Sequence, residues 1–411
     1  MCGTPLAPTI AAVDDPGRIV TLVLCRGEQL FGALPPLEVE VPWWPDVSNV
    51  VSATRRAYGI EIVVLRLLRA STDRRHGGEV TYLAEAEEAP KEALQPWLGP
   101  DPLADQPHRQ AWARPGGPGE HLAWAAGRLA EEGRPATGPA EQIKTWNLSA
   151  LWRIPTGEGR VWLKATPPFL GHEGAVASLV GPRSAPVLLG FRPGLVLMEE
   201  IAGEDNFETT GPALRPMVEM LTGLQQVLCH RTNEVLATGA PDRRLHVMAV
   251  RIEQVADAWG HELRPEERAA LDGLICGLEK RLSAIMECGV PDTLVHGDFH
   301  PGNVRGPLDH YVILDWGDAY LGPPLVDELA FTRPLGADDR AAARRWFADA
   351  WRSAVPGCEP ERAADLLQPV LPLYAAVVYD DFCANIEPDE LIYHAQDVPA
   401  MLRQAAGSGQ V

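Results

Sequence analysis

Apolar and polar positions along this chain follow two different periods, and the places where the period changes divide it. Residues 18–25, 60–67 and 79–84 carry Val, Leu and Ile in runs of strand length, with a shorter run at 38–41. Between them, residues 46–58 show helical spacing that stops at Gly59, a residue suited to the left-handed turn that closes a helix. These segments predict a small α+β unit. Residues 99–119 then hold Pro100, Pro102, Pro107, Pro115 and Pro118 with Gly116, Gly117 and Gly119, a composition that breaks regular structure and marks a linker.

Beyond the linker, Leu122, Ala125, Ala126 and Leu129 predict a helix over 121–132. Residues 141–164 read as three strands with two turns, which places Lys164 inside the third strand. Residues 172–179 are helix-like, with Glu173 in the first turn, nine residues after Lys164. Apolar runs at 187–190 and 194–203 form a buried strand that leads into a polar connection at Glu199, Glu200 and Ile201. Residues 212–231, 252–259 and 265–288 are amphipathic helices, and the pattern is helical from 337 onward. A β-rich part thus precedes a helical one.

The chemistry concentrates in two stretches, His-Gly-Asp-Phe-His-Pro-Gly-Asn at 296–303 and Ile-Leu-Asp-Trp-Gly-Asp at 313–318. Asp298 and Asn303 lie five residues apart across Pro301 and Gly302, so the backbone turns between them. A hairpin with its turn at 305–310 and an apolar strand at 311–314 then delivers Asp315 back beside them. Mg²⁺ takes hard oxygen ligands and keeps several waters, so one carboxylate and one amide oxygen suffice when phosphates complete the shell. A carboxylate left outside the metal shell can orient a hydroxyl and accept its proton. The set reads as a phosphoryl-transfer site.

In residues and in order, these two stretches resemble the catalytic and metal-binding loops of the aminoglycoside phosphotransferase family, small-molecule relatives of protein kinases. The resemblance implies a two-lobe kinase-like α+β fold, with a small β-rich N-lobe over 111–202 and a helical C-lobe over 203–411. It implies Asp298 as base, Asn303 and Asp315 on Mg²⁺, and Lys164, oriented by Glu173, on the phosphates of ATP. Glu199, Glu200 and Ile201 would lie at the adenine edge. No glycine-rich loop precedes Lys164, and the turn there offers Asn147 and Ser149 as phosphate donors instead. Asp327, in the segment after the metal loop, is expected to brace the catalytic loop.

Residues 1–110 are weakly similar to the Nudix hydrolase fold through the helix ending in Tyr-Gly-Ile before a strand. Ala53, Arg56 and Ala57 stand where that family places metal-binding glutamates, so a structural or docking role is expected.

Composition narrows the partners. With 36 Lys plus Arg against 56 Asp plus Glu, the net charge of −20 argues against nucleic acid. No apolar run reaches the ~18 residues of a membrane span and no leader pattern opens the chain, which predicts a cytoplasmic protein without a membrane partner. Seven scattered cysteines lack any Cys-x-x-Cys pair, so no disulfide framework or zinc site is suggested. The partner is then a small-molecule acceptor. Tyr379, Asp380, Asp381, Glu387, Asp389 and Glu390 cluster where the family often builds its acceptor pocket, pointing to a cationic acceptor; a solvated helix face is the alternative. The leading expectation is an ATP-dependent kinase acting on a small-molecule hydroxyl, and the alternative is a catalytically silent kinase-like binding protein.

Overall fold

The computed structural model describes residues 17–71, 76–90, 94–307 and 310–408. The turn expected at 305–310 lies in part outside them. The N-terminal unit runs β1 (Arg18–Arg26), β2 (Gln29–Ala33), β3 (Leu37–Val39), α1 (Ser48–Tyr58), β4 (Ile62–Ala70) and β5 (Gly78–Ala86). Its sheet has the order β2-β1-β5-β4, with β3 also on β1; β1 and β5 are parallel and the other pairs antiparallel. Alternation gives the sheet two apolar faces. Leu22, Leu24, Val64 and Tyr82 join the main core, while Val23, Cys25, Leu65 and Leu83 meet Trp97 and Leu103 on the other side. Helix α1 ends at Gly59, whose φ of 67° places it in the left-handed region.

The proline-rich stretch is ordered. A short 3-10 turn at Ala111–Ala113 leads into α2 (Gly117–Glu131), which starts four residues earlier than its apolar spacing suggests. Pro118 falls in its first turn, where a missing N–H costs nothing. The second sheet, β6 (Glu141–Trp146), β7 (Ser149–Thr156), β8 (Gly159–Ala165), β9 (Leu188–Arg192) and β10 (Leu195–Glu199), has the order β6-β7-β8-β10-β9 and is antiparallel throughout. Helix α3 (Glu173–Val180) connects β8 to β9.

The helical half contains α4 (Arg215–Leu228), α5 (Thr232–Ala237), α6 (Leu245–Trp259), α7 (Pro265–Cys276) and α8 (Leu278–Glu287). The single helix expected over 265–288 is two, parted at Gly277, where the chain loses the restraint of a side chain. Two small ladders follow, β11 (Thr293–Val295) with β14 (Tyr320–Gly322) and β12 (Val304–Arg305) with β13 (Val312–Ile313). The chain ends in α9 (Leu325–Thr332), α10 (Ala337–Ala354), α11 (Pro360–Leu367), α12 (Leu371–Ala384) and α13 (Asp397–Ser408).

The N-terminal sheet is built into both later parts. Gln142 on β6 donates to Val64 O at 2.7 Å and accepts from Val64 N at 2.9 Å, as a backbone neighbour of β4 would. Lys144 lies between the rings of Trp43 and Trp146, at 4.5 and 4.6 Å. On the helical side, Arg66 reaches Glu387 at 3.5 Å and Asp389 at 3.2 Å, and Arg109 donates twice to Glu387 at 3.0 Å. Tyr393 meets Trp44 and Trp146 edge-on. One continuous core therefore holds Val20 and Tyr82 together with Tyr379 and Tyr393.

Buried Arg18 organises the unit's edge: it donates to the carbonyls of Val41, Trp44 and Asp46 and to the Tyr82 hydroxyl, at 2.7 to 3.1 Å. Arg18→Ala takes the guanidinium donors from the Val41 and Asp46 carbonyls, while Trp44 O keeps the Tyr82 hydroxyl at 2.8 Å, and is expected to cost about 2 kcal/mol or more. Urea denaturation of the full chain measures it, and a loss under ~1 kcal/mol would mean that water replaces these bonds.

Candidate active site

Lys164 sits near the end of β8, paired with Leu151 of β7 and Val196 of β10, so three strands fix its backbone. Its ammonium group donates to Glu173 Oε1 at 2.7 Å and to Asp315 Oδ1 at 2.6 Å. The side chains are at most 7% exposed. A buried lysine stays charged only when opposite charges offset its desolvation, and here two carboxylates from different parts of the chain do so. Glu173 opens α3, and its Oε2 is buried without a hydrogen-bond partner.

Asp315 ends the β13 segment with φ 66° and ψ 59°, the only positive φ outside glycine among the described residues. An L residue held there costs on the order of 1 kcal/mol and marks a position whose side-chain direction matters. Facing it, Asn303 Nδ2 donates to Asp298 O at 2.8 Å and Asp298 Oδ2 at 3.1 Å. The two loops also exchange a backbone bond, Leu314 N to Asn303 O at 2.8 Å. The structure thus brings Lys164, Glu173, Asp298, Asn303 and Asp315 into one centre.

Two histidines set the loop. His296 Nδ1 accepts from Asp298 N at 3.3 Å, so its Nε2 carries the proton and donates to Leu314 O at 2.8 Å. Burial depresses its pKa to about 4, which keeps the ring neutral. His300 Nδ1 accepts from Gly302 N at 3.0 Å, which leaves its Nε2 facing Asp298 Oδ2 at 3.6 Å. Burial pushes the Asp298 carboxyl above the usual carboxylate range, and His300 counteracts it. Asp318, quoted in the motif but given no role from sequence, is buried too and raised well above its ordinary value by burial, Asp298 and Asp315. The positive counterpart is Arg243, which lies over the Tyr320 ring and carries no local sequence signal.

The catalytic loop hangs on Asp327. Its carboxylate accepts from His296 N at 2.8 Å, Gly297 N at 3.0 Å and Gln225 Nε2 at 2.8 Å. Gly297 has φ 87°, and a Cβ there would meet Asp318 O at 2.4 Å, so this turn admits only glycine. Phe331, one turn further along α9, stacks on Phe299 at 5.1 Å.

The remaining expected positions are placed differently. Asn147 lies fully buried at the β6–β7 turn with both side-chain polar atoms unpartnered, and Ser149 Oγ accepts from Trp146 Nε1 at 2.9 Å. The N–H groups of Glu199 and Glu200 are bonded to Val187 O and Arg160 O, and their side chains pair with Arg134 and Arg160. Among the described residues, no backbone hydrogen bond engages the Ile201 N–H.

The C-terminal acidic group forms neither an open anionic pocket nor a solvated face. Asp380 and Asp381 are engaged by Arg251, Asp381 also by Arg243, and Glu387 and Asp389 by Arg66. Glu390 and Tyr379 are buried. Arginines folded in from distant parts of the chain neutralise these carboxylates, which removes the cluster as a basis for attracting a cation.

Asp327→Asn turns one acceptor into a donor aimed at N–H groups. The expected loss is about 1–3 kcal/mol. Faster hydrogen exchange at 296–303 is expected as well; wild-type exchange there would show that the loop is held by other bonds.

Residues 164–383 match the family model described as "Phosphotransferase enzyme family". No curated protein matches the chain. Among solved structures, the GDP complex of wild-type aminoglycoside 2'-phosphotransferase-IIIa aligns with a TM-score of 0.50 at 13% identity, over 70% of this chain and 98% of that one. A macrolide 2'-phosphotransferase type I aligns at 0.49 and 14% identity, over 69% and 96%. A macrolide 2'-phosphotransferase from Brachybacterium faecium aligns at 0.48 and 16%, over 67% and 98%. The first of these likenesses is one of fold.

Proposed function

Because the chain belongs to the phosphotransferase enzyme family through residues 164–383, we propose that it transfers the γ-phosphoryl group of ATP to a hydroxyl of a small molecule. The observation that carries this reading is the Lys164 ammonium held between Glu173 and Asp315 beside the hydrogen-bonded pair Asp298–Asn303. In the proposed reaction Lys164 contacts the phosphates, with Glu173 fixing its direction. Asp298 orients the acceptor hydroxyl and takes its proton, and its raised pKa makes it a stronger base than an exposed aspartate.

Asn303 and Asp315 fit Mg²⁺ by donor type, an amide oxygen and a carboxylate, and Asn303 uses its Nδ2 on Asp298, which leaves the oxygen as the ligand. The ion supplies charge neutralisation on the phosphates. Asn147 and Ser149 are proposed to reach the phosphates once the β6–β7 turn lifts, and Ile201, between the engaged Glu200 and the helical half, to read the adenine edge together with carbonyls of Glu199 and Glu200. The acceptor we propose is a cytoplasmic, hydroxylated small molecule with an amine. The N-terminal unit, over 1–110, keeps the Nudix-like reading without its chemistry, since Ala53, Arg56 and Ala57 on α1 supply no metal ligand.

Asp298→Asn is expected to lower kcat by about 10²- to 10⁴-fold while ATP binding persists. An ADP-coupled assay on a panel of hydroxylated amines, with isothermal titration of ATP, measures both; full turnover in the variant removes Asp298 as base. The same assays with nucleoside diphosphate derivatives should detect no hydrolysis by the N-terminal unit of the Lys164→Met protein. Mg²⁺-dependent hydrolysis in that protein would overturn the silent reading of α1.

A further inference from the structure

The side chains that line the proposed nucleotide cleft are buried in this structure, and the strand that enters the turn beside them is bonded to the N-terminal unit. Lys164, Glu173, Asp298 and Asp315 are buried. The β6–β7 turn, which in the proposed reaction must lie over phosphates, is instead packed away: Asn147, Leu148 and Ser149 are all at most 3% exposed.

That placement is costly by itself, because two polar atoms of Asn147 are buried without partners, each worth roughly 1–3 kcal/mol. What offsets the cost is a joint on both sides of the turn. β6 is tied to the N-terminal sheet by the Gln142–Val64 pair, by Val47 N to Ile143 O at 3.1 Å and by Thr145 N to Pro45 O at 3.0 Å. The same sheet is tied to the helical half by Arg66 on Glu387, both 1% exposed, and by Trp44 against Tyr393. The N-terminal unit therefore bridges the strand that leads into the turn and the helical half.

We propose that the N-terminal unit is a clamp on nucleotide entry: it holds the β6–β7 turn down against the helical half, and nucleotide is admitted only when the Arg66–Glu387 joint opens. The unpartnered amide of Asn147 then gains phosphate oxygens as partners, which stabilises the open form once nucleotide is present. This rests on the reading of the cleft as a nucleotide site. It makes the N-terminal unit a gate on a reaction in which it has no chemical part.

The test is stopped-flow binding of a fluorescent ATP analogue with Mg²⁺ to the full chain. With a clamp, the observed rate for the wild-type protein levels off at the opening rate as nucleotide rises. Glu387→Gln, which keeps the shape and removes the charge, should raise that plateau by about fivefold or more. A wild-type rate that climbs linearly to high nucleotide overturns the clamp, whether or not the variant folds. So does a variant plateau equal to the wild-type one in a protein whose urea midpoint has fallen. If neither protein binds nucleotide at all, the kinase reading itself falls, and the clamp with it; if both bind linearly, only the clamp falls.

Discussion

Everything in the centre of this protein depends on keeping one lysine charged in a place from which water is excluded. Removing an ammonium group from water costs several kcal/mol, and only well-placed opposite charges return it. Lys164 obtains them from Glu173, at the first turn of α3, and from Asp315, some 150 residues further on. The pairing therefore fixes how the β-rich sheet, α3 and the loop at Asp315 stand relative to one another. Asp298 and Asp318, both pushed above the ordinary carboxylate range by burial, stand beside this pair of ion contacts.

The second constraint is rigidity of the loop that carries Asp298. Asp327 grips two successive N–H groups, His296 bonds the loop to Leu314, and the Phe299–Phe331 stack closes the side facing the core. Each bond is ordinary in strength. Together they leave the loop few ways to move without orphaning a buried donor, so Asp298 and Asp315 hold their separation before any ligand arrives. Preorganisation of that kind is what a phosphoryl-transfer site needs most, because positioning and charge stabilisation supply nearly all of its rate.

Local signals were legible where a single principle controlled the outcome. The three strands of 141–165, the helix opening at Glu173 and the α1 stop at Gly59 follow from period and capping alone. The bracing bonds of Asp327 were expected through the resemblance of its segment to the family's. Long-range pairings were not. Nothing near Arg66 or Arg243 in sequence indicates Glu387 or Asp381, so an acidic run that looked like an attracting surface is a set of arginine pairings, of which Arg66–Glu387 is buried. Proline misled in the same way: Pro118 looked like part of a linker and is the start of α2.

These long-range arginine contacts also change what the N-terminal sheet is. A unit appended by a loose linker would expose few charges to the rest of the chain and would keep its own core. Here the sheet shares a core with α12 and α13, donates buried guanidinium groups to a segment near the C-terminus, and receives a glutamine from β6 as though it were another strand. Buried ion pairs add little net stability over apolar packing, yet losing one partner is expensive. Their distinctive contribution is to specify one arrangement and penalise every other. In the proposed clamp, a contact with that property makes the N-terminal unit a determinant of how often the nucleotide cleft is open.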